Sequence, residues 1–280
     1  MTQESIQDEY WASQRRPPPP SGNTHLASQV AAEYREIVKK HAAYQPRSLQ
    51  KFLGPSELGS PCDRQVAGKM AGLPGTNHTV DPWPSLVGTW CHEGMAECFT
   101  AENHREGVKR FLAETRVAGH PNHPGTSDLY DWNYRAVVDH KFLGESTHAK
   151  IRRAGSDPPR KYIVQILMYG EGFRRLGFRV DRVMLAAWPR TGSKLAGLYV
   201  WERPHTADDI ELLQEVYRQT DNRYVWATRL ATGQCTLNDI PMTPDDDECY
   251  FCPFFRAQSA HDGGPGCPGN RIDKTQSPVK

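Results

Sequence analysis

Residues 125–141 read Gly-Thr-Ser-Asp-Leu-Tyr-Asp-Trp-Asn-Tyr-Arg-Ala-Val-Val-Asp-His-Lys, a pattern that predicts a β-hairpin. Leu129 and Tyr130 would close the first strand, and residues 131–133 would form the turn. Residues 136–138 are apolar and mostly β-branched, as expected for the second strand. The hairpin would place the polar residues near its open end on two neighbouring strands.

Three of these polar residues predict a pocket with a definite chemistry. Side chains alternate faces along a strand, so Asp139 and Lys141 point the same way while His140 points the other. Asp128 would add a second carboxylate from the partner strand. Carboxylates are hard ligands for Mg²⁺ or Mn²⁺, and a nearby lysine can orient water or stabilise developing charge. This arrangement is what a metal-dependent phosphodiesterase needs.

Gly-x-x-Asp followed by a strand that ends Asp-x-Lys resembles the RecB-like branch of the PD-(D/E)xK nucleases. The alternative for this motif alone is an exposed strand end with a solvated ion pair. The resemblance covers about Ser56 to Pro268 and implies an α/β fold. Its central mixed β-sheet would be flanked by helices, as a restriction-endonuclease-like core.

Composition limits the classes of protein that the chain can be. With 280 residues it can bury one good core. The net charge of +1 means that any DNA contact must come from a local basic surface. No apolar run is long enough to span a bilayer and no signal pattern begins the chain, so we expect no membrane partner and a cytoplasmic location in a bacterial, archaeal or phage-infected cell.

The chain is expected to comprise five segments. The ends would be disordered, and the first of them carries four consecutive prolines. The predicted segments are a leader at 1–24, an N-terminal helical region at 25–110 that includes a helix from Leu26 to about Ala43, a nuclease core at 111–205, a C-terminal helix and iron–sulfur segment at 206–270, and a tail at 271–280.

A helix is predicted over residues 88–99, and it contains His92. A lone histidine on a helix is most often a surface or satisfied side chain, but RecB-like nucleases place a helical histidine before the Gly-x-x-Asp strand. The resemblance therefore implies that His92, Asp128, Asp139 and the backbone carbonyl of His140 bind Mg²⁺ or Mn²⁺. Lys141 would position or activate the attacking water.

Two further groups are candidates for the same site. Glu114 lies on a predicted strand over residues 111–117, where the family often has an acidic residue, and a solvated strand glutamate explains it equally well. Gln165 and Tyr169 are four residues apart on a predicted buried helix and share one face. They resemble the Gln-x-x-x-Tyr motif of the family, which implies that they hold DNA or the lysine; core packing is the alternative.

The segment after Lys141 is predicted to be a basic loop that captures phosphates or is simply solvated. Its cations are Lys150, Arg152, Arg153, Arg160 and Lys161. Short strands at 181–188 and 198–201 would extend the sheet. Thr206 would cap a helix that runs to about Leu230, and its charged residues are expected to form an ordinary solvent face.

Cysteines cluster in a way that predicts a metal site. Cys249 and Cys252 form a Cys-x-x-Cys pair, and Cys267 follows. We choose Cys62 as the fourth ligand, at the start of a helix opened by Ser60 and Pro61. Its competitors are Cys235 and His261.

A similar distribution, one cysteine before the core and three after it, occurs in RecB-like exonucleases that carry an iron–sulfur cluster. These include the CRISPR-associated branch and AddB-type subunits. The resemblance implies a structural [4Fe–4S] cluster joining the N- and C-terminal parts. The gap between Cys252 and Cys267 is longer than the family's usual spacing, which leaves structural Zn²⁺ as the alternative.

Together the motifs predict a metal-dependent DNA exonuclease that hydrolyses phosphodiester bonds at single-stranded ends. Recombination, repair, phage DNA processing and CRISPR adaptation are all possible settings, with proteins of recombination or CRISPR adaptation as possible partners. Two other classes stay open. One is a non-catalytic DNA-binding partner in recombination, and the other is a zinc-binding interaction protein. The sequence gives no signal for oligomeric state or digestion polarity.

Overall fold

A computed structural model describes residues 26–44, 53–77, 81–153, 156–244 and 246–269. The predicted leader at 1–24 and tail at 271–280 lie outside the described residues. The chain divides into two compact units, residues 1–49 and 50–280. The first contains helix α1 (Leu26–Ala43), as its alternation of apolar and charged residues predicted.

The second unit holds the sheet and the other helices. Within the described ranges, no helix has the length and apolar character that crossing a bilayer requires. In chain order its elements are α2 (Pro55–Leu58), α3 (Asp63–Met70), α4 (Trp83–Glu106), β1 (Phe111–Val117), β2 (Gly125–Asp131), β3 (Ala136–Leu143), α5 (Glu145–Arg152), α6 (Arg160–Arg175), β4 (Arg182–Pro189), β5 (Tyr199–Pro204), α7 (Ala207–Ala231), α8 (Asp246–Phe251) and α9 (Ser259–Asp262).

The sheet has five strands in the order β1-β2-β3-β4-β5. The β3–β4 pair is parallel, and the other three pairs are antiparallel. A parallel neighbour needs a crossover connection, which here contains α5 and α6. The predicted mixed sheet flanked by helices is confirmed. The basic segment after Lys141 is not wholly a loop, because residues 145–152 form α5.

The two faces of the sheet are covered by different helices. Val137 packs in a large apolar cluster with Val164 and Phe173 of α6. Its neighbour Val138 belongs to a second cluster, against which Phe99 of α4 packs. Because adjacent strand residues point to opposite faces, α6 covers one face and α4 the other. Residues at the end of β3 can therefore be reached from both helices.

The helix at Cys62, the first predicted cluster cysteine, begins two residues later than expected. Asp63 is the first residue of α3, and Cys62 occupies the N-cap position. Ser60 does not cap the helix, since its hydroxyl donates to the Gln65 side chain at 2.6 Å. The prediction that Cys62 sits at a helix start is confirmed.

The prediction that the charged residues of α7 form an ordinary solvent face is wrong for Arg223. Arg223 is fully buried. Its guanidinium donates to the Asp63 carboxylate at 2.7 Å and to the backbone oxygens of Leu58 and Ser60 at 3.1 and 2.7 Å. Buried charges are kept only where they are paired and hydrogen-bonded. Arg223 therefore ties the segment that leads into Cys62 to α7.

Replacing this guanidinium should destabilise the fold strongly. Arg223→Leu leaves two buried carbonyl oxygens without a donor and removes the charged partner of Asp63, which keeps only the Gln219 amide, so we expect a loss of about 3–5 kcal/mol in the free energy of unfolding. Urea denaturation measures it. Arg218→Leu is the matched control on the same helix, because Arg218 is 65% exposed and makes only a surface pair with Glu215. Equal stability of the two variants would contradict the role of Arg223.

Candidate active site

The candidate site forms where β2 and β3 separate. Paired residues of this hairpin run from Asp131↔Ala136 to Leu129↔Val138. Beyond that point the backbone N–H of His140 donates to Oδ2 of Asp128 at 2.7 Å. A carboxylate thus takes the hydrogen bond of a strand amide and is held in place by it. Asp128 is only 9% exposed.

His92 reaches the same carboxylate from α4. Its Nδ1 lies 3.3 Å from Oδ2 of Asp128, and its ring contacts the Phe142 ring edge to face. Burial lowers the pKa of His92, but the hydrogen bond and charge of Asp128 outweigh burial and raise it. The pKa of Asp128 is lowered, since the hydrogen bond and charge of His92, joined by the charge of Lys141, overcome its burial. The structure brings this predicted pair together.

Glu114 joins them from β1. One ligand atom each of His92, Glu114 and Asp128 lies within 4.8 Å of the others. Burial and then the negative charge of Asp128 raise the pKa of Glu114. The charge of Asp128 thus adds to the cost of ionising Glu114, a cost that a bound cation would offset. From the sequence, Glu114 could be either a site residue or a solvated strand residue. Its position beside His92 and Asp128 favours the first interpretation.

The backbone of Glu114 is also unusual. Its φ is +47°, in the left-handed region that residues other than glycine rarely adopt. The neighbouring pairs Ala113↔Leu129 and Thr115↔Ser127 keep the strand in register on both sides. Such outliers cost free energy and concentrate at functional sites. The conformation places the Glu114 carboxylate opposite Asp128.

Asp139 and Lys141 form a buried ion pair at the end of β3. Nζ of Lys141 lies 2.7 Å from Oδ2 of Asp139, which is fully buried. Oδ1 of Asp139 has no hydrogen-bond partner among the described residues. Burial raises the pKa of Asp139 to about 6 against the charge of Lys141, and the charge of Asp128 adds to the rise. As the strand period predicted, both side chains lie on one face.

Lys141 is held by three further groups. Its ammonium donates to Oε1 of Gln165 at 3.0 Å, and Nε2 of Gln165 donates to the Tyr169 hydroxyl at 3.1 Å. The Tyr162 ring lies 5.1 Å from Nζ, within cation–π range. Gln165 and Tyr169 are 7% and 5% exposed. Of the two roles implied for them, these contacts favour holding the lysine.

Tyr162 was not predicted as a site residue from the sequence. Its spacing could have indicated the contact, because residues 162, 165 and 169 follow the i, i+3, i+7 pattern of one helix face.

The His140 side chain does not join the carboxylates. It stacks on Phe99 at 5.5 Å between centroids, and Nε1 of Trp188 donates to its Nδ1 at 3.3 Å. Burial lowers the pKa of His140 to about 4, so the imidazole is neutral near pH 7. Its backbone N–H orients Asp128, and the proposed role of its carbonyl as a metal ligand stays a prediction.

The donor set fits Mg²⁺ or Mn²⁺. The carboxylates of Glu114 and Asp128 and the imidazole of His92 meet at the strand ends. The Asp139 carboxylate is not part of this group of three, and its Oδ1 has no protein donor among the described residues. Hard oxygen donors suit Mg²⁺ and Mn²⁺, and an imidazole is more compatible with Mn²⁺. No thiol lies in this set of donors.

Two of the basic residues predicted to contact phosphates have structural partners. Lys161 pairs with Glu248 at 2.6 Å, and Arg160 donates to the backbone oxygen of Gly59 at 3.0 Å. Both contacts join the start of α6 to the cysteine-bearing segments. A role in phosphate binding for this group stays a prediction.

The predicted cluster cysteines share one cavity. Cys62, Cys249, Cys252 and Cys267 all line it, together with the buried side chain of Arg64. The pKa of Cys252 is raised to about 11, mainly by burial and in smaller part by the other three thiols. Arg64 donates to the Cys267 sulfur at 3.2 Å.

The competing fourth ligands do not line this cavity. Cys235 packs near Leu230 and Ile240 in a separate apolar cluster, and His261 is exposed. The structure therefore groups Cys62 with the three C-terminal cysteines.

No protein-family model and no curated protein matches the chain. Solved structures give low-level matches. One is the alkaline exonuclease LHK-Exo from Laribacter hongkongensis, with TM-score 0.44 and 11% identity over 66% of this chain and 93% of that one. Another is a phage-related exonuclease from Haemophilus somnus 129PT, with TM-score 0.40 and 13% identity over 62% and 82%. A complex of LHK-Exo with dAMP matches at TM-score 0.40 and 12% identity over 64% and 95%. Likenesses of this size carry no weight for function, which rests on the geometry of this chain.

Two substitutions of Glu114 separate the cost of its left-handed backbone from the contribution of its carboxylate to metal binding. Glu114→Gly and Glu114→Ala both remove the carboxylate, so both should weaken Mn²⁺ binding measured by titration calorimetry. Only glycine adopts a φ of +47° without cost, so the glycine variant should be the more stable by about 1 kcal/mol in thermal melts. An alanine variant as stable as the glycine variant would contradict the strain.

Proposed function

We propose that the protein is a metal-dependent DNA exonuclease that hydrolyses phosphodiester bonds at single-stranded ends. The observation that carries this proposal is the buried Lys141–Asp139 pair beside the carboxylates of Asp128 and Glu114 and the imidazole of His92. A buried ammonium at the edge of a cation site fits phosphate chemistry, in which negative charge must be both attracted and stabilised.

The residues of the site divide into metal ligands and a lysine that acts on water and phosphate. His92, Glu114, Asp128 and Asp139 would hold Mg²⁺ or Mn²⁺, which when bound neutralises phosphate charge and acidifies a water molecule. Lys141 would orient the attacking water and stabilise charge on the phosphate. Its pKa is raised because the charges of Asp139 and Asp128 outweigh burial, so it stays protonated at neutral pH.

The lysine must also point in one direction. Gln165 accepts a hydrogen bond from the ammonium, the Tyr169 hydroxyl accepts one from the Gln165 amide, and the Tyr162 ring covers one side of the ammonium. Positioning of this kind is a large part of catalysis, because a small displacement of a reacting group costs much of the rate.

DNA as the substrate, and its ends as the point of attack, rest on the resemblance of the ordered motifs to RecB-like nucleases. The order of the helical histidine, Gly-x-x-Asp, Asp-x-Lys and Gln-x-x-x-Tyr matches that family. Recombination, repair, phage DNA processing and CRISPR adaptation are the settings we propose for this activity.

Removing the lysine tests the proposed activity. Lys141→Ala should lower Mn²⁺-dependent degradation of end-labelled single-stranded DNA about a hundredfold or more, since it removes a charge that stabilises the transition state. Lys194→Ala, at an exposed position, is the matched control and should keep the wild-type rate. Cleavage by Lys141→Ala at the wild-type rate would refute the site. An inert wild-type protein that still binds DNA would support a non-catalytic partner instead.

We also propose that Cys62, Cys249, Cys252 and Cys267 hold a [4Fe–4S] cluster. They line one cavity. Four thiolates can hold either a cluster or Zn²⁺, and the resemblance of the one-plus-three cysteine distribution to RecB-like exonucleases with an iron–sulfur cluster favours the cluster.

The surroundings of the cysteines also suit a negatively charged group. Arg64 is 8% exposed and donates to the Cys267 sulfur, while its other contacts fix it to the backbone oxygens of Asn238 and Ile240. A buried guanidinium beside a thiolate offsets part of its charge. In this proposal the cluster has a structural role, because it joins the segment that contains Cys62 to the C-terminal segment that contains the other three cysteines.

Anaerobic purification should therefore give a brown protein with broad absorption near 400 nm. Cys62→Ala should lose most of its iron and colour, whereas Cys235→Ala should keep them, because Cys235 lies outside the shared cavity. Iron and zinc are measured by metal analysis of the same samples. A colourless protein with one zinc per chain would overturn the cluster in favour of the zinc alternative.

A further inference from the structure

The turn of the β2–β3 hairpin carries exposed aromatic rings among arginines. We call this the hairpin-end surface and define it by Arg110, Trp132, Tyr134, Arg135 and Arg179. Trp132 is 45% exposed and Tyr134 57%. What distinguishes these two rings from other exposed aromatic side chains among the described residues is that arginines surround them.

Direct contacts join members of this surface in two groups. The Arg110 guanidinium lies 5.5 Å from the Tyr134 ring centroid. Arg135 and Arg179 both pair with the one carboxylate of Asp181, each at 2.7 Å. Because two guanidiniums share a single carboxylate, one positive charge remains in excess. Both guanidiniums also keep donors for another acceptor.

The charge of this end of the molecule differs from that of the whole. The segments 109–110, 131–135 and 174–182 carry seven cationic and two anionic side chains, although the chain has a net charge of only +1. Glu171 and Glu202 pair with Arg175 and Arg182, and cations still exceed anions when they are counted. The surface thus provides the local basic patch that a nearly neutral chain needs for a polyanion.

We propose that the hairpin-end surface binds single-stranded DNA outside the candidate active site. Trp132 and Tyr134 stack bases, and Arg135 and Arg179 contact phosphates. Aromatic rings beside arginines are the combination with which proteins bind single strands, since every base has a face to stack and every nucleotide a charge to pair. This inference rests on the proposed function, because it supplies a second contact for the same substrate.

The distance from the site fixes which substrates would use this surface. Along β3, Ala136 at the hairpin end and Lys141 are five residues apart, or about 17 Å at 3.3 Å per residue. Three nucleotides have two steps, which cover about 7 Å when the bases stack at about 3.4 Å and less than about 17 Å even when the strand is fully extended, so a trinucleotide cannot touch both. Short oligonucleotides would therefore bind only at the candidate active site.

The test compares two double variants in DNA binding without divalent metal, so that no cleavage occurs. Trp132→Ala with Arg179→Ala removes one stacking ring and one cation of the surface. Trp90→Ala with Arg218→Ala is the matched control, since Trp90 is 44% and Arg218 65% exposed, close to the 45% of Trp132 and the 69% of Arg179. Fluorescence anisotropy with a labelled 20-nucleotide single strand and a labelled trinucleotide measures affinity.

We expect the hairpin-end variant to bind the 20-nucleotide strand about tenfold more weakly than the control and with a shallower salt dependence. Its cleavage of the trinucleotide in Mn²⁺ should be unchanged. Equal affinity of both variants for the long strand would overturn this surface and leave the proposed nuclease intact. A shift in oligomeric mass without loss of affinity would overturn it in favour of a contact between copies. Wild-type protein that neither binds nor cleaves DNA would overturn the proposed function as well.

Discussion

The hydrogen bond from the His140 amide to the Asp128 carboxylate is the contact on which the candidate site depends. It forms where β2 and β3 stop pairing, so the side chain replaces a strand carbonyl and is fixed by the backbone. Around that carboxylate, α4 supplies His92 and β1 supplies Glu114. A site built on strands and a long helix is more rigid than one built on loops, which suits chemistry that requires exact placement.

Electrostatic balance explains why this group of charges can be buried. Asp128 has His92 and a backbone amide, and Asp139 has Lys141. One carboxylate oxygen of Asp139 still lacks a donor among the described residues, while burial and the charge of Asp128 raise the cost of ionising Glu114. A bound divalent cation would both contact the Asp139 oxygen that lacks a donor and offset the negative charge of Glu114 and Asp128. The contacts that hold these side chains in place would therefore also suit a bound divalent cation.

Sequence patterns predicted the parts of the structure that depend on local periodicity. The strand period placed Asp139 and Lys141 together, and the helix period placed Gln165 with Tyr169. The position of Glu114 could not be derived this way, because it depends on a left-handed backbone within a strand and on contacts with two other elements. Arg223 was misjudged for a similar reason, since a charged helix residue is buried here only because three distant acceptors converge on it. Long-range polar contacts leave little trace in a single sequence.

The most direct test of the central claim is the Mn²⁺ dependence of cleavage by wild-type protein and Asp128→Asn, followed as product release from end-labelled single-stranded DNA. The asparagine keeps the shape of the side chain and an oxygen for the His140 amide but removes the charge. We expect wild type to show saturable, Mn²⁺-dependent cleavage and the variant to need far more Mn²⁺ and to remain slow at saturation. Cleavage by Asp128→Asn with the wild-type rate and Mn²⁺ requirement would contradict the assignment of the site.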